Sequence, residues 1–97
     1  MDLLITVTKA QSAQIVAPLL QACVRRGCDW HVFLTHHGVQ VLQQNEIIEI
    51  MSEYRERVVA CHDSWHRFGE EGECPVTVGS QTNHSEMAAR AGRLVSL

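Results

Sequence analysis

Apolar runs and amphipathic segments alternate along the chain, and this alternation predicts the fold. Five short runs are rich in apolar, β-branched and aromatic residues and are bounded by polar or turn-forming residues, which is typical of buried β-strands. These runs are residues 2–8, 28–35, 57–61, 74–79 and 93–97. Most of the segments between them carry apolar residues at helical spacing. We therefore expect strands and helices to alternate throughout.

The amphipathic segments predict the helices. In the first, one apolar stripe ends at the turn-forming Gly27. The stripe consists of Ile15, Val16, Leu19, Leu20, Cys23 and Val24. Because Pro18 lies inside this stripe, the helix should either begin only a few residues earlier or kink before the proline. A second helix is expected over residues 47–56 and a short third helix over residues 62–68.

The last helix and the strands together predict the fold class. Asn83 and Glu86 are spaced as a capping box, which predicts a helix that begins near Asn83. Strands that are apolar on both faces and alternate with helices are typical of a parallel sheet covered on each side. With right-handed crossovers, the sequence predicts one α/β domain over residues 1–97: a small doubly wound, mostly parallel five-stranded sheet with helices on both faces.

Composition and charge exclude several classes of protein. The chain is 45% hydrophobic and 20% charged with a formal net charge of -3, which is ordinary for a globular domain and argues against a basic nucleic-acid binder. No apolar run approaches the roughly 20 residues that a membrane span needs. The first residues also lack the cationic start and cleavage site of a secretion signal. The sequence therefore predicts a cytoplasmic protein that binds neither nucleic acid nor membrane.

Small and polar residues follow the carboxyl ends of the predicted strands. In an open parallel sheet these ends lie along one edge, and ligands bind there. The residues concerned are Thr8, Lys9, His36, His37, Gly38, Cys61, His62 and residues 79–83. A functional site is therefore expected at this edge.

Cys61 is the candidate nucleophile of that edge. It lies where a strand ends and a helix begins, and the free N–H groups at a helix start favour a thiolate over a thiol. Histidine is suited to moving protons near neutral pH, so His62 and His36 are the candidate catalytic helpers. The opposing interpretation is that Cys61 is a small, inert residue of the core.

The other three cysteines are weaker candidates than Cys61, and structural roles are expected for Cys23 and Cys28. Cys23 lies on the apolar stripe of the first helix, Cys28 opens a strand at the opposite edge of the sheet, and Cys74 precedes the fourth strand. Because the chain is neither rich in cysteine nor expected to be exported, free thiols are expected rather than disulfides.

A metal site and a cofactor site receive less support. His62 and His66 are four residues apart on a predicted helix beside Cys61, which permits thiolate and imidazole ligands to a metal ion. No further ligand stands at a diagnostic spacing, and a solvated helix face explains the pair equally well. Residues 6–14 contain no glycine, so neither a phosphate loop nor a dinucleotide fingerprint follows the first strand. We expect no cofactor.

Three segments resemble one family. They are "VFLTHHGVQVL", "RVVACHDSW" with its cysteine at the end of the third strand, and the terminal "VTVGSQTNHSEMAARAGRLVSL". Together with the order of elements, they resemble the DsrE/DsrF/TusD-like family of sulfur-relay proteins, whose fold is flavodoxin-like. The resemblance implies a homo-oligomer, a trimer or hexamer, that accepts sulfur as a persulfide on Cys61 and passes it to other sulfur-transfer proteins.

Two other functions remain open at this stage. One is a non-catalytic ligand-binding or interaction module of the same fold, in which Cys61 is structural. The other is a metal-binding protein that uses Cys61, His62 and His66. A reactive Cys61 thiol would favour the sulfur carrier, and an unreactive thiol would favour the binding module.

Overall fold

Five parallel strands form one sheet in a computed structural model that describes all of residues 1–97. The strands are β1 (Leu3–Val7), β2 (Trp30–Leu34), β3 (Val58–Cys61), β4 (Thr77–Gly79) and β5 (Arg93–Ser96). Their order across the sheet is β4-β3-β2-β1-β5, and every neighbouring pair is parallel. The predicted doubly wound α/β class is confirmed, with a sheet that is parallel throughout.

Four α-helices and three 3-10 segments connect the strands. The α-helices are α1 (Ala13–Arg26), α2 (Asn45–Glu53), α3 (His62–Phe68) and α4 (Gln81–Arg90). The 3-10 segments are Ala10–Ser12, His36–Gln43 and Arg55–Arg57. None of the helices combines the length and the apolar character that crossing a membrane requires.

The first helix accommodates its internal proline by starting close to it. α1 begins at Ala13, so Pro18 lies within the second turn and removes one hydrogen bond rather than breaking a long helix. At the other end Gly27 has a φ of 67°, and its N–H donates to the carbonyls of Cys23 and Val24. A left-handed residue of this kind ends many helices, and the predicted end of α1 at Gly27 is confirmed.

The two faces of the sheet are covered unequally. Residues of α1, α2 and α3 pack with β1, β2 and β3 in the larger core, whereas only α4 covers the opposite face. The strand order explains this difference, because β1 to β4 proceed in one direction and only the connection through α4 returns past β1 to β5. The smaller cluster consists of Leu4, Phe33 and Cys61, with Met87 and other residues of α4 and its ends against it.

The start of α4 differs from the sequence prediction. Ser80 is the N-cap: its hydroxyl accepts from the Asn83 N–H, while the Asn83 side chain accepts from the Ser80 N–H at 2.8 Å. The predicted box of Asn83 with Glu86 is therefore wrong by three residues. Serine and asparagine both cap helices well, and the end of β4 at Gly79 leaves Ser80 as the first residue free to do so.

The segment His36–Gln43 packs closely on the end of β1. A Cβ atom at Gly38 would overlap the carbonyl group of Val7, so only glycine allows this approach. Two residues earlier, His36 has a φ of 52°, which is uncommon for a residue with a side chain. The close packing therefore holds the backbone after β2 in one conformation beside Cys61.

Candidate functional site

Cys61 joins the third strand to the third helix. It is the last residue of β3 and the N-cap of α3, with extended backbone angles of φ -61° and ψ 125°. Its side chain belongs to the smaller core cluster, on the face that α4 covers, and the residue is 6% exposed. The predicted position at a strand-to-helix junction is confirmed.

Hydrogen-bond donors surround the thiol of Cys61. Burial alone would raise its pKa, but donors from Ser64, Asp63 and Gln81 outweigh this effect, so the pKa lies below the ordinary thiol value. Ser64 contributes both its hydroxyl and its backbone N–H, Asp63 contributes its backbone N–H, and the side-chain amide nitrogen of Gln81 lies 3.7 Å from Sγ. Hydrogen bonds to the charged form favour a thiolate, which is the nucleophilic form of cysteine.

The donors are themselves held by a polar network at the carboxyl edge of the sheet. The Ser64 hydroxyl accepts from the backbone N–H of His36 at 2.7 Å and lies 3.4 Å from the Thr35 hydroxyl. The Gln81 amide also donates to the Thr35 hydroxyl at 3.1 Å. Segments following β2, β3 and β4 therefore meet at Cys61.

A cleft of about 220 Å³ opens beside this network. It is lined by Thr35, His36, Cys61, Asp63, Ser64, Arg67, Phe68 and Gln81. Its volume lies below the roughly 300 Å³ at which small-molecule sites usually begin. The cleft therefore suits a ligand of a few atoms.

The two histidines predicted as helpers lie in different places. His36 lines the cleft, and its backbone N–H is part of the polar network. His62 follows Cys61 directly, but its side chain is 74% exposed and lies 3.7 Å from the Asp63 carboxylate, outside the cleft. Consecutive residues at the start of a helix face different directions, which explains why His62 lies outside the cleft that Cys61 lines. Catalytic roles for both histidines stay predictions.

Sequence reasoning missed most of the polar residues around Cys61. Ser64 and Arg67 follow Cys61 at intervals of three, a spacing that places helix residues on one face and was available in the sequence. The sequence predicts Gln81 only as one of several polar residues at the edge, and Thr35 only as the end of a strand. Their approach to Cys61 depends on the strand order, which hydrophobic patterning does not predict.

The other cysteines have different surroundings, and all four thiols are free. Burial raises the pKa of the Cys23 thiol, with a further contribution from the neighbouring Cys28. Burial also raises the pKa of the Cys74 thiol, which lies outside the cleft. Both surroundings favour the protonated, unreactive form of the thiol.

The residues of the metal hypothesis do not come together. No group of three or more histidine, cysteine, aspartate or glutamate side chains is arranged to hold a metal ion. Cys61 lies in the cleft described above, whereas His62 and His66 line a separate depression with Trp65.

Comparisons of the chain with models of protein families, with curated proteins and with solved structures find no match. The arguments about function therefore rest on the fold and on the residues of the cleft.

Proposed function

We propose that the protein is a sulfur carrier that holds sulfur as a persulfide on Cys61. The observation that carries the proposal is the set of hydrogen-bond donors that lowers the pKa of Cys61, while burial raises the pKa of Cys23 and Cys74. A thiolate is the form that attacks a sulfur atom.

The chemistry requires two transfers. In the first, the Cys61 thiolate attacks the outer sulfur of a donor persulfide, a new S–S bond forms, and the electron pair of the old S–S bond leaves with the donor thiolate. In the second, an acceptor thiolate attacks the outer sulfur on Cys61, and the Cys61 thiolate leaves. The donors that stabilise the thiolate assist both steps, because Cys61 is the nucleophile in one and the leaving group in the other.

The position of Cys61 suits a carrier that shields its bound sulfur from solvent. The residue itself is 6% exposed, but the cleft beside it is large enough for an added sulfur atom. Gln81 lies over the thiol at 3.7 Å, and its amide would donate to a bound persulfide as it does to the thiol.

The resemblance to the DsrE/DsrF/TusD-like family supports the same role. The doubly wound α/β fold, with a cysteine at the end of the third strand, has the features on which that resemblance rests. Under this proposal the protein acts in the cytoplasm as a trimer or hexamer of identical chains, and its partners are other sulfur-transfer proteins. His36, at the cleft, is the better placed of the two histidines to move a proton.

Intact-mass spectrometry tests the carrier proposal. Reduced wild-type protein incubated with a persulfide donor should gain the mass of one sulfur atom, and Cys61→Ser should gain none. Cys28→Ser is the matched control, since Cys28 is a half-buried free thiol outside the cleft and its loss should leave the gain unchanged. Sulfur on Cys61→Ser, or none on a folded wild type, would contradict the proposal.

One observation favours a second candidate, a non-catalytic binding module. Cys61 packs with Leu4 and Phe33 and is almost fully buried, as a structural cysteine would be. In that case alkylation of Cys61 should follow an ordinary thiol pKa, and the persulfide donor should leave the mass unchanged.

A further inference from the structure

The cleft beside Cys61 contains a cation without a partner. Along α3, Cys61, Ser64 and Arg67 follow one another at intervals of three and line the same cleft. No carboxylate lies within ion-pair distance of the Arg67 guanidinium. Guanidinium groups have five N–H donors that match the oxygens of an anion, and the exposed Arg67 side chain is free to contact an oxyanion beside the Cys61 nucleophile.

The other charged groups of the cleft leave Arg67 available. Asp63 contributes the only carboxylate, and its side chain is 92% exposed and lies 3.7 Å from the His62 imidazole, which faces a different depression. His36 adds an imidazole, and Thr35 and Gln81 add neutral hydrogen-bonding groups. The formal charges of Arg67 and Asp63 cancel across the lining, but the Asp63 carboxylate lies beside His62, so the Arg67 guanidinium is the group of the cleft that can bind negatively charged oxygens.

We propose that the sulfur donor to Cys61 is a small anion of the thiosulfonate class, of which thiosulfate is the simplest, and that Arg67 binds its oxygens. This inference rests on the proposed carrier function and names the donor for the same site. A thiolate that attacks such an anion meets like-charge repulsion, and a guanidinium beside the path reduces it. The volume of about 220 Å³ accommodates the five non-hydrogen atoms of thiosulfate, as it equals the share of roughly seven water molecules.

The reaction balances without an oxidant. The Cys61 thiolate attacks the terminal sulfur of thiosulfate, a Cys61 S–S bond forms, and the S–S bond of thiosulfate breaks. Its electron pair leaves with sulfite, and the product is the Cys61 persulfide anion, so the total charge is unchanged. Negative charge grows on the sulfite oxygens as this bond breaks, which is where Arg67 would donate.

The test measures sulfur loading of Cys61 from two donors, thiosulfate and inorganic polysulfide, which lacks oxygen. Loading is followed by intact mass, and sulfite release is followed for thiosulfate. Arg67→Gln should lower the ratio of the thiosulfate rate to the polysulfide rate about tenfold, and Arg67→Lys should lower it less, because lysine keeps the charge but loses the paired donors. Arg90→Gln is the matched control, since Arg90 is exposed on α4, outside the cleft, and should leave the ratio unchanged.

Competition by sulfate gives a second readout of the same site. Sulfate should slow thiosulfate loading of the wild type and have less effect on Arg67→Gln, with folding of each variant checked by circular dichroism. Equal ratios in wild type and Arg67→Gln would overturn the role of Arg67. Loading from polysulfide but not from thiosulfate would overturn the donor class, favour a protein persulfide as donor and leave the carrier function standing. No loading from either donor would overturn both proposals.

Discussion

The side-chain amide of Gln81 lies 3.7 Å from the thiol of Cys61, although 20 positions separate the two residues in the chain. Cys61 ends β3, and Gln81 begins α4, the only helix on its face of the sheet. The same amide donates to Thr35 at 3.1 Å, so one side chain connects the segments that follow three strands.

Replacing Gln81 with methionine should make Cys61 less reactive. The variant keeps the length of the side chain but removes a donor to the thiolate, so the pKa of Cys61 should rise. With one hydrogen bond contributing about 0.5–1.5 kcal/mol, alkylation by iodoacetamide at pH 7 should slow by about two- to tenfold. The measurement is the pH dependence of alkylation at Cys61, located by peptide mass. Gln21→Met on α1 is the control, and an equal loss in both variants would argue against a direct effect of Gln81.

Replacing Ser64 with alanine should affect both reactivity and stability. The buried Ser64 hydroxyl accepts from the N–H of His36, whose φ is 52°, and it lowers the pKa of Cys61 by hydrogen bonding, so its loss removes a part-buried hydrogen bond and a stabiliser of the thiolate. We expect a loss of about 0.5–1.5 kcal/mol in the free energy of unfolding and a higher pKa of Cys61. Chemical denaturation and alkylation measure the two effects. Ser52→Ala, at an exposed position of α2, should change neither.

Substitutions at the start of α4 test the corrected cap. Because the Ser80 hydroxyl accepts from the Asn83 N–H, Ser80→Ala should lower the free energy of unfolding by about 1 kcal/mol. Asn83→Ala should have a comparable effect through loss of the return bond to Ser80. Ser85→Ala, at an exposed position inside the same helix, provides the control in thermal denaturation. If a cap at Asn83 were the true start, Ser80→Ala would behave like Ser85→Ala.

The ion pair of Asp29 with Arg57 should make stability depend on pH below about 4. The hydrogen bond from Arg57, at 2.8 Å, lowers the pKa of the Asp29 carboxyl in the folded state. A depressed folded pKa stabilises the protein above the unfolded value, and this contribution is lost as the pH falls through the folded value. The melting temperature of wild type should therefore exceed that of Asp29→Asn at pH 5, and the gap should shrink from pH 4 to pH 2.5.

Two controls separate this ion pair from general acid effects. Glu53→Gln removes an exposed carboxylate that has no ion-pair partner, so its gap to wild type should stay small over the same range. Added salt should reduce the Asp29 gap at pH 5, because exposed ion pairs are screened. A gap that grows as the pH falls would show that folding raises the pKa of Asp29 instead of lowering it.

Local sequence patterns predict most of the helices and strands, but they do not predict the order of the strands in the sheet. The apolar run of residues 57–61 and the helical stripe that ends at Gly27 depend on neighbours in sequence, so both elements are predicted correctly. The cap of α4 is missed, because Ser80 and Asn83 also form a box and the end of β4 decides between the two. The order β4-β3-β2-β1-β5 results from which way each crossover runs, and apolar spacing carries no information about that direction.

The residues of the site also separate into those that local sequence predicts and those that depend on the path of the chain. Cys61 is predictable because a strand end and a helix start are both local features. Ser64 and Arg67 were within reach of the sequence through their spacing from Cys61 along α3. Gln81 was not, since it reaches Cys61 only because α4 turns back over the opposite face. His62 is a candidate because it adjoins Cys61 in sequence, and its exposed side chain lies outside the cleft that Cys61 lines.

The path of residues 80–97 has a consequence for synthesis on the ribosome. These residues lead from one edge strand, β4, and form the other, β5, and of the 97 residues they are translated after all the others. While they are still missing, β1 has an unpaired edge, and Cys61 lacks both the Gln81 amide and the helix that covers it. Unpaired edges of parallel sheets are prone to wrong pairing. Residues 80–97 therefore pair the free edge of β1 and complete the surroundings of the Cys61 thiol together.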